Sequence, residues 1–234
     1  MSIIYKTPNE IKKDKYQGSK DNSKREPTKR KVLELFDKLP RGKVLEIGAG
    51  DGFLSNTLND MGFNVIASDI NTDSFKPKNI DFLKIDANFT FPFEDNSFDY
   101  VVSVETIEHL EYPWNLINES YRVLRRGGGE LIFTTPNVET IQNRILYLFL
   151  GKFNHFNNRS LSINHISPQF SWILNWMIKD KFEIVKETYN AGTLLFVSPV
   201  ISKVRIPIKN KFFGEIKIIE LKKLVKYKIK NEKE

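Results

Sequence analysis

Cysteine is absent from all 234 residues, which excludes disulfides, thiolate nucleophiles and Cys-ligated zinc together. Apolar runs are short. None reaches the roughly 18 residues that a membrane-spanning helix needs, and Met1–Lys15 holds no stretch suited to a signal peptide. A soluble, cytoplasmic protein is the expectation. Histidine is scarce: with only His109, His155 and His165 in the chain, imidazole acid–base chemistry is confined to three positions. No internal repeat is visible.

What is present suits one α/β core. The length is just under the roughly 250–300 residues at which cores begin to divide, and 18 phenylalanines can fill a sizeable interior. The net charge of +7 is unevenly spread: residues 1–31 carry 10 basic and 4 acidic side chains, residues 203–234 carry 11 and 4, and the middle is left with 15 and 21. The positive charge therefore belongs to the ends and says little about a central pocket.

Residues 1–26 are Lys-, Asn- and Ser-rich without periodicity and read as a mobile arm or lid. From Pro27, Val32, Leu35, Phe36 and Leu39 share one helical face. Strands are then expected at 43–47, 64–68, 81–85, 98–104 and 130–134, with helices at 53–61, 114–124 and 138–150 between them. Residues 151–166 read as a loop or lid, 168–177 as a helix, and 182–188 and 193–200 as two closing strands. Alternating β and α units argue for a mostly parallel sheet with helices on both faces. In the basic tail, Ile218, Leu221, Leu224, Val225 and Ile229 recur at helical spacing, so 203–234 is expected to be partly helical, docking its apolar side on the core or on a second subunit in the first place and laying its lysine-rich face on an anionic membrane in the second.

The densest signal is Val44 to Gly52, Val-Leu-Glu-Ile-Gly-Ala-Gly-Asp-Gly. A buried strand ends in a carboxylate and turns on alternating glycines, which leave no Cβ where a ligand lies against the main chain. Val65-Ile66-Ala67-Ser68-Asp69 is a second strand ending in an acid, 19 residues beyond Gly50, and Ile85-Asp86-Ala87 repeats the arrangement. A carboxylate at the end of the second strand can accept from ribose hydroxyls.

Over roughly Val32 to Val200 the chain resembles the class I S-adenosylmethionine-dependent methyltransferases of the small-molecule type, which include ubiquinone-biosynthesis and sugar enzymes. The resemblance implies an α/β, Rossmann-like, seven-stranded sheet, mostly parallel with an antiparallel last strand, spanning 27–202. It implies S-adenosyl-L-methionine as cofactor and S-adenosyl-L-homocysteine as product. Gly48 and Gly50 would pass beside the methionine moiety and Glu46 would accept from its ammonium. Asp69 would hold the ribose, Ile70 and Ala87 would meet the adenine, and Asp86 would accept from the adenine amino group. Ser97–Ser103 resembles the fourth motif and Val104-Glu105-Thr106-Ile107-Glu108-His109-Leu110 the segment beside the transferable methyl, with Glu105 on the cofactor side. Leu124–Gly129 matches the turn before the fifth strand, with Arg126 in place of the usual proline.

A hydroxyl acceptor needs its proton removed. His165, at the entry to the helix after the lid-like loop, and His109, just past the fourth strand, are the candidate bases; His155 reads as a solvated loop residue. Glu105, Glu108 and His109 on one short segment are too weak a pattern to assign a metal. Phe89–Phe93 and the three tryptophans, Trp114, Trp172 and Trp176, read as core packing.

The expected acceptor is a small molecule. A sugar or polysaccharide hydroxyl comes first, on the likeness of Thr135-Pro136-Asn137 and His165-Ile166-Ser167-Pro168 to surface-polysaccharide enzymes, and a quinone or lipid-linked acceptor second. Three readings compete. A nicotinamide enzyme would place its third glycine where Phe53 stands, and a base-modifying enzyme lacks its Pro-Pro-aromatic turn here and meets an acidic middle that repels phosphates. A non-catalytic cofactor-binding module stays open, as does the oligomeric state.

Overall fold

The computed structural model describes residues 26–156, 164–190, 192–194, 204–206 and 208–225. The expected arm lies outside these residues except for Glu26, which opens the first helix. In chain order the elements are α1 (Glu26–Phe36), β1 (Lys43–Ile47), α2 (Phe53–Asp60), β2 (Asn64–Asp69), β3 (Asp81–Lys84), β4 (Tyr100–Ser103), α3 (Pro113–Val123), β5 (Glu130–Pro136), α4 (Ile141–Leu150), α5 (Ser171–Ile178), β6 (Phe182–Tyr189), β7 (Gly192–Leu194), β8 (Val204–Ile206) and β9 (Ile216–Lys223).

Seven strands form one sheet in the order β3-β2-β1-β4-β5-β9-β6. The first five are parallel, and β9 runs antiparallel to both neighbours. Alternate residues explain the layers. Leu45, Val101, Leu131 and Phe133 face the side covered by α3 and α5, whereas Val44, Val102 and Ile132 face α1 and α2. A sheet buried on both faces needs near-continuous apolar strands, which is what β1, β4 and β5 supply. The expected Rossmann-like fold is the one observed.

The C-terminal expectations need correction. Residues 216–223 are not helical: they form β9, wedged between β5 and β6 with Ile216, Ile218, Ile219 and Leu221 buried. The seventh strand is therefore this segment and not 193–200. Residues 192–194 pair with β8 in a separate two-stranded ribbon, and 195–200 lie outside the described residues. The lysines disguised the strand. Lys217 is 1% exposed because its Nζ meets Glu139 at 3.1 Å and also donates to Ser171 Oγ. Lys223 donates to the Leu124 carbonyl and to Asn96 Oδ1. Paired lysines can be buried where solvated ones cannot. With 216–223 in the sheet, the lysine-faced helix that motivated a membrane contact is not formed among the described residues; 226–234 lie outside them.

The aromatics divide. Trp114 packs against the core and Phe91 is buried, as expected, with Phe93 set edge-on to Phe98 at 4.9 Å. Trp172, Trp176 and Phe89 are exposed, contrary to the core reading. Among the described residues, no helix is long and apolar enough to cross a membrane.

Candidate active site

The glycine turn is fixed from two sides. Gly48 and Ala49 donate their backbone N–H groups to the Ser68 carbonyl at 2.8 and 2.9 Å, which ties the turn to the end of β2. Gly48 has φ of 79°, and a Cβ there would collide with Thr106 Oγ1 on the segment after β4. Gly50 differs. At φ of 58° its Cβ direction meets nothing within 4 Å, so main chain faces open space beyond the strand ends, while its N–H donates to Asp69 Oδ2 at 2.8 Å.

Three carboxylates stand at the carboxyl ends of three adjacent strands. Glu46, near the end of β1, is buried and its Oε2 accepts from Ser55 Oγ, one turn into α2. Burial pushes its carboxyl up to about 7, opposed by the Lys29 ammonium and the Ser55 bond and reinforced by Asp69 and Asp51. Lys29 Nζ, on α1, lies 3.7 Å from Asp51 Oδ1, so a cation already sits beside this acidic corner.

Asp69 ends β2. Its Oδ1 accepts from Asn71 N at 2.9 Å, and Ile70 beside it is exposed. The Ile85 N–H donates to the Asp69 carbonyl at 3.1 Å, which sets Asp86 next to it. Asp86 Oδ1 accepts from both nitrogens of Asn88 at 2.9 Å, and Asn88 Oδ1 in turn accepts from Tyr112 N at 2.8 Å. Ala87 is buried, its carbonyl accepting from Asn115 Nδ2 at 3.0 Å. Each acid is thus held in a defined orientation by neighbouring donors.

Beyond β4, Glu105 adopts φ of 50°, uncommon for a residue with a side chain, and its N–H donates to Thr134 Oγ1 at 2.9 Å. His109 closes a short 3-10 turn, Ile107–His109. The Glu108 carbonyl accepts from Ile166 N and Ser167 N, both at 3.0 Å, and so draws the two histidine-bearing segments together. The His109 and His165 rings meet edge to face at 4.6 Å. His165 Nδ1 lies 2.9 Å from the His155 carbonyl; a carbonyl only accepts, so Nδ1 carries the proton there and Nε2 is the basic nitrogen. Ligand atoms of Glu108, His109 and His165 all lie within 4.8 Å of one another, a set able to hold a metal ion. It differs from the set weighed above: Glu105 is not in it and His165 is.

Sequence reasoning missed Ser55, Thr106, Asn88 and Lys29. Only Ser55 left a trace, since a helix opening at Phe53 turns its third residue back toward β1. The other three come from segments whose approach depends on the tertiary fold.

Comparison with known proteins bears on the family and the fold. Residues 45–132 match the family model described as Methyltransferase domain. An uncharacterised protein of Methanocaldococcus jannaschii is 27% identical over 193 residues, 82% of this chain and 83% of that one. The demethylmenaquinone methyltransferase of Renibacterium salmoninarum is 32% identical over 105 residues, 43% of this chain; the match spans 44% of that relative's length, less than half. Among solved structures, a SAM-dependent methyltransferase from Archaeoglobus fulgidus superposes with a TM-score of 0.62 over 91% of this chain and 98% of that one, at 20% identity, a likeness of fold.

Proposed function

We propose that this chain is a class I S-adenosylmethionine-dependent methyltransferase that transfers the methyl group to a hydroxyl of a small-molecule acceptor, with a sugar or polysaccharide precursor as first candidate; the match of residues 45–132 to a methyltransferase domain and the shared fold support it. One observation supports the reading above others: Glu46, Asp69 and Asp86 stand at the ends of three adjacent strands beside an open glycine turn, and the segment that follows β4 carries His109 into contact with His165.

The residues present fit the cofactor. Gly50 leaves the main chain accessible, Glu46 offers a carboxylate for an ammonium, Asp69 keeps lone pairs for ribose hydroxyls, and exposed Ile70 offers an apolar surface for a ring. When bound, S-adenosylmethionine supplies a methyl group already activated by the sulfonium. The protein's work is then to orient and to exclude water, which can contribute roughly 7–11 kcal/mol in well-aligned cases. Glu46 would hold the amino-acid end of the donor, Asp69 the ribose and Asp86 the base edge. His165, its Nδ1 hydrogen committed to the His155 carbonyl, receives the acceptor's hydroxyl proton at Nε2, and His109 buttresses its ring.

A second reading, a quinone or other lipid-borne acceptor, draws on the demethylmenaquinone methyltransferase relative. The test is mass spectrometry of reactions with S-adenosylmethionine and a panel of sugar nucleotides, oligosaccharides, hydroquinones and RNA. A mass gain of one methylene on a sugar, with S-adenosylhomocysteine released in step, supports the first reading. Transfer to a hydroquinone supports the second; transfer to RNA, or cofactor binding with no turnover on any acceptor, overturns both.

A further inference from the structure

Helix α4 is inside out. Its one fully buried side chain is Asn143, whereas Ile145, Tyr147, Leu148, Phe149 and Leu150 are exposed, Leu148 and Phe149 to 76%. A surface helix ordinarily turns its apolar stripe inward. Here polar bonds anchor it instead. Asn143 N donates to Thr140 Oγ1 at 3.1 Å, Asn143 Nδ2 to the Asn137 carbonyl at 2.9 Å, and Asn143 Oδ1 accepts from Asn154 N at 2.8 Å. A chain of ring contacts leads from α4 to the start of α5. Tyr147 stacks on Phe153 at 4.9 Å, Phe153 meets Phe170 edge-on at 5.8 Å, and α5 follows with Trp172 and Trp176 exposed to 69% and 64%.

We propose that this α4–α5 face docks on an anionic lipid bilayer. Its chemistry is that of an interfacial surface: aliphatic and Phe side chains at the centre, Trp and Tyr beside them, and cations around. Arg144 lies on α4 and Lys152 follows it, Lys179 Nζ stands 5.0 Å over the Trp176 ring, and Lys211 Nζ 5.0 Å over Phe212, whose carbonyl accepts from Ile141 N. On the two helices and their C-terminal ends, Asp180 alone opposes these cations; Glu139, just before α4, is already held by Lys217 and Ser171. Two other occupants are disfavoured by charge. A second copy would bring the same cations to the same face, and the stretch Met1–Arg25 carries seven basic side chains. Since α4 leads into the segment where Phe156 lies 5.7 Å from the His165 ring, docking would turn the histidine side of the site toward the bilayer. The inference does not depend on which acceptor is used.

The experiment is flotation of the full chain with vesicles of phosphatidylcholine alone and with phosphatidylglycerol added, for wild type, Leu148→Ser/Phe149→Ser and Lys152→Gln/Lys179→Gln. Light scattering for mass and S-adenosylhomocysteine titration serve as controls. Expected are binding to the anionic vesicles, at least tenfold weaker partition for the apolar double variant, a severalfold loss confined to anionic vesicles for the lysine variant, and unchanged nucleoside affinity in both. Absence of vesicle binding, equal binding by all three proteins, or a wild-type dimer that the apolar variant converts to monomer would each overturn it. Cofactor titration and solution methyl transfer report separately on the proposed function.

Discussion

Replacing Glu46 by glutamine tests the acidic corner through two opposite responses. In the folded chain burial raises this carboxyl from 4.5 to about 7. The native state therefore holds the proton more tightly than the unfolded chain, and the sign follows: stability is undiminished below pH 4.5, falls as pH rises toward 7, and carries the full cost above it. At 1.36 kcal/mol per unit the cost amounts to about 3 kcal/mol. Urea unfolding of wild type and Glu46→Gln at pH 5 and pH 8.5 isolates it, because the other carboxylates cancel in the difference. The variant should gain about 2.5 kcal/mol relative to wild type between the two pH values, since a little of the cost is already present at pH 5. Binding should respond in the other direction. A ligand ammonium favours the ionised carboxylate, so wild-type affinity for S-adenosylhomocysteine should climb up to tenfold per unit below pH 7 and level off above, with about half a proton released per ligand near pH 7. Calorimetry in two buffers of different ionisation enthalpy measures that proton. In Glu46→Gln both the slope and the release should vanish and affinity at pH 8 should fall. Parallel stability curves would refute the raised carboxyl, and wild-type affinity in the variant would refute the placement of Glu46 at the ammonium.

Four further outcomes are expected. Gly48→Ala forces a side chain into left-handed backbone against Thr106 and should cost at least about 2 kcal/mol in chemical unfolding; adding Thr106→Ala should return only the part due to collision. His165→Ala should lower kcat by roughly 10²–10⁴-fold on the identified acceptor while nucleoside affinity holds. EDTA should leave the wild-type rate unaltered, and a loss restored by divalent cation would instead give Glu108, His109 and His165 a metal-binding role. Lys217→Met strands Glu139 and should destabilise by about 3 kcal/mol, partly recovered in Lys217→Met/Glu139→Gln. Were 215–229 an exposed helix, the same change would stay within about 0.5 kcal/mol.

The parts of this molecule legible from sequence are those whose environment is uniform along the chain. Strands β1, β2, β4 and β5 lie between two helical layers, so each reads as an apolar run, and the acids and glycines at their ends stand out against it. Legibility fails where burial and polarity part company. In β9, Lys217 is as buried as the isoleucines beside it, because its partner comes from the loop before α4, 78 residues upstream; without that partner in view the lysine marks solvent and the segment reads as an amphipathic helix. Helix α4 errs in the reverse sense, its apolar residues facing outward and its asparagine inward, and Trp172 and Trp176, which read as core by the same rule, are exposed. The histidine pair obeys neither pattern. His109 and His165 are 56 residues apart, and what joins them is a main-chain contact, the Glu108 carbonyl receiving two N–H groups from residues 166 and 167, which no side-chain pattern records. On the proposed reading, the acids and glycines that would hold the cofactor are written in local strand ends, whereas the histidine pair is joined by long-range backbone contacts, so such a chain would declare its donor well before its acceptor.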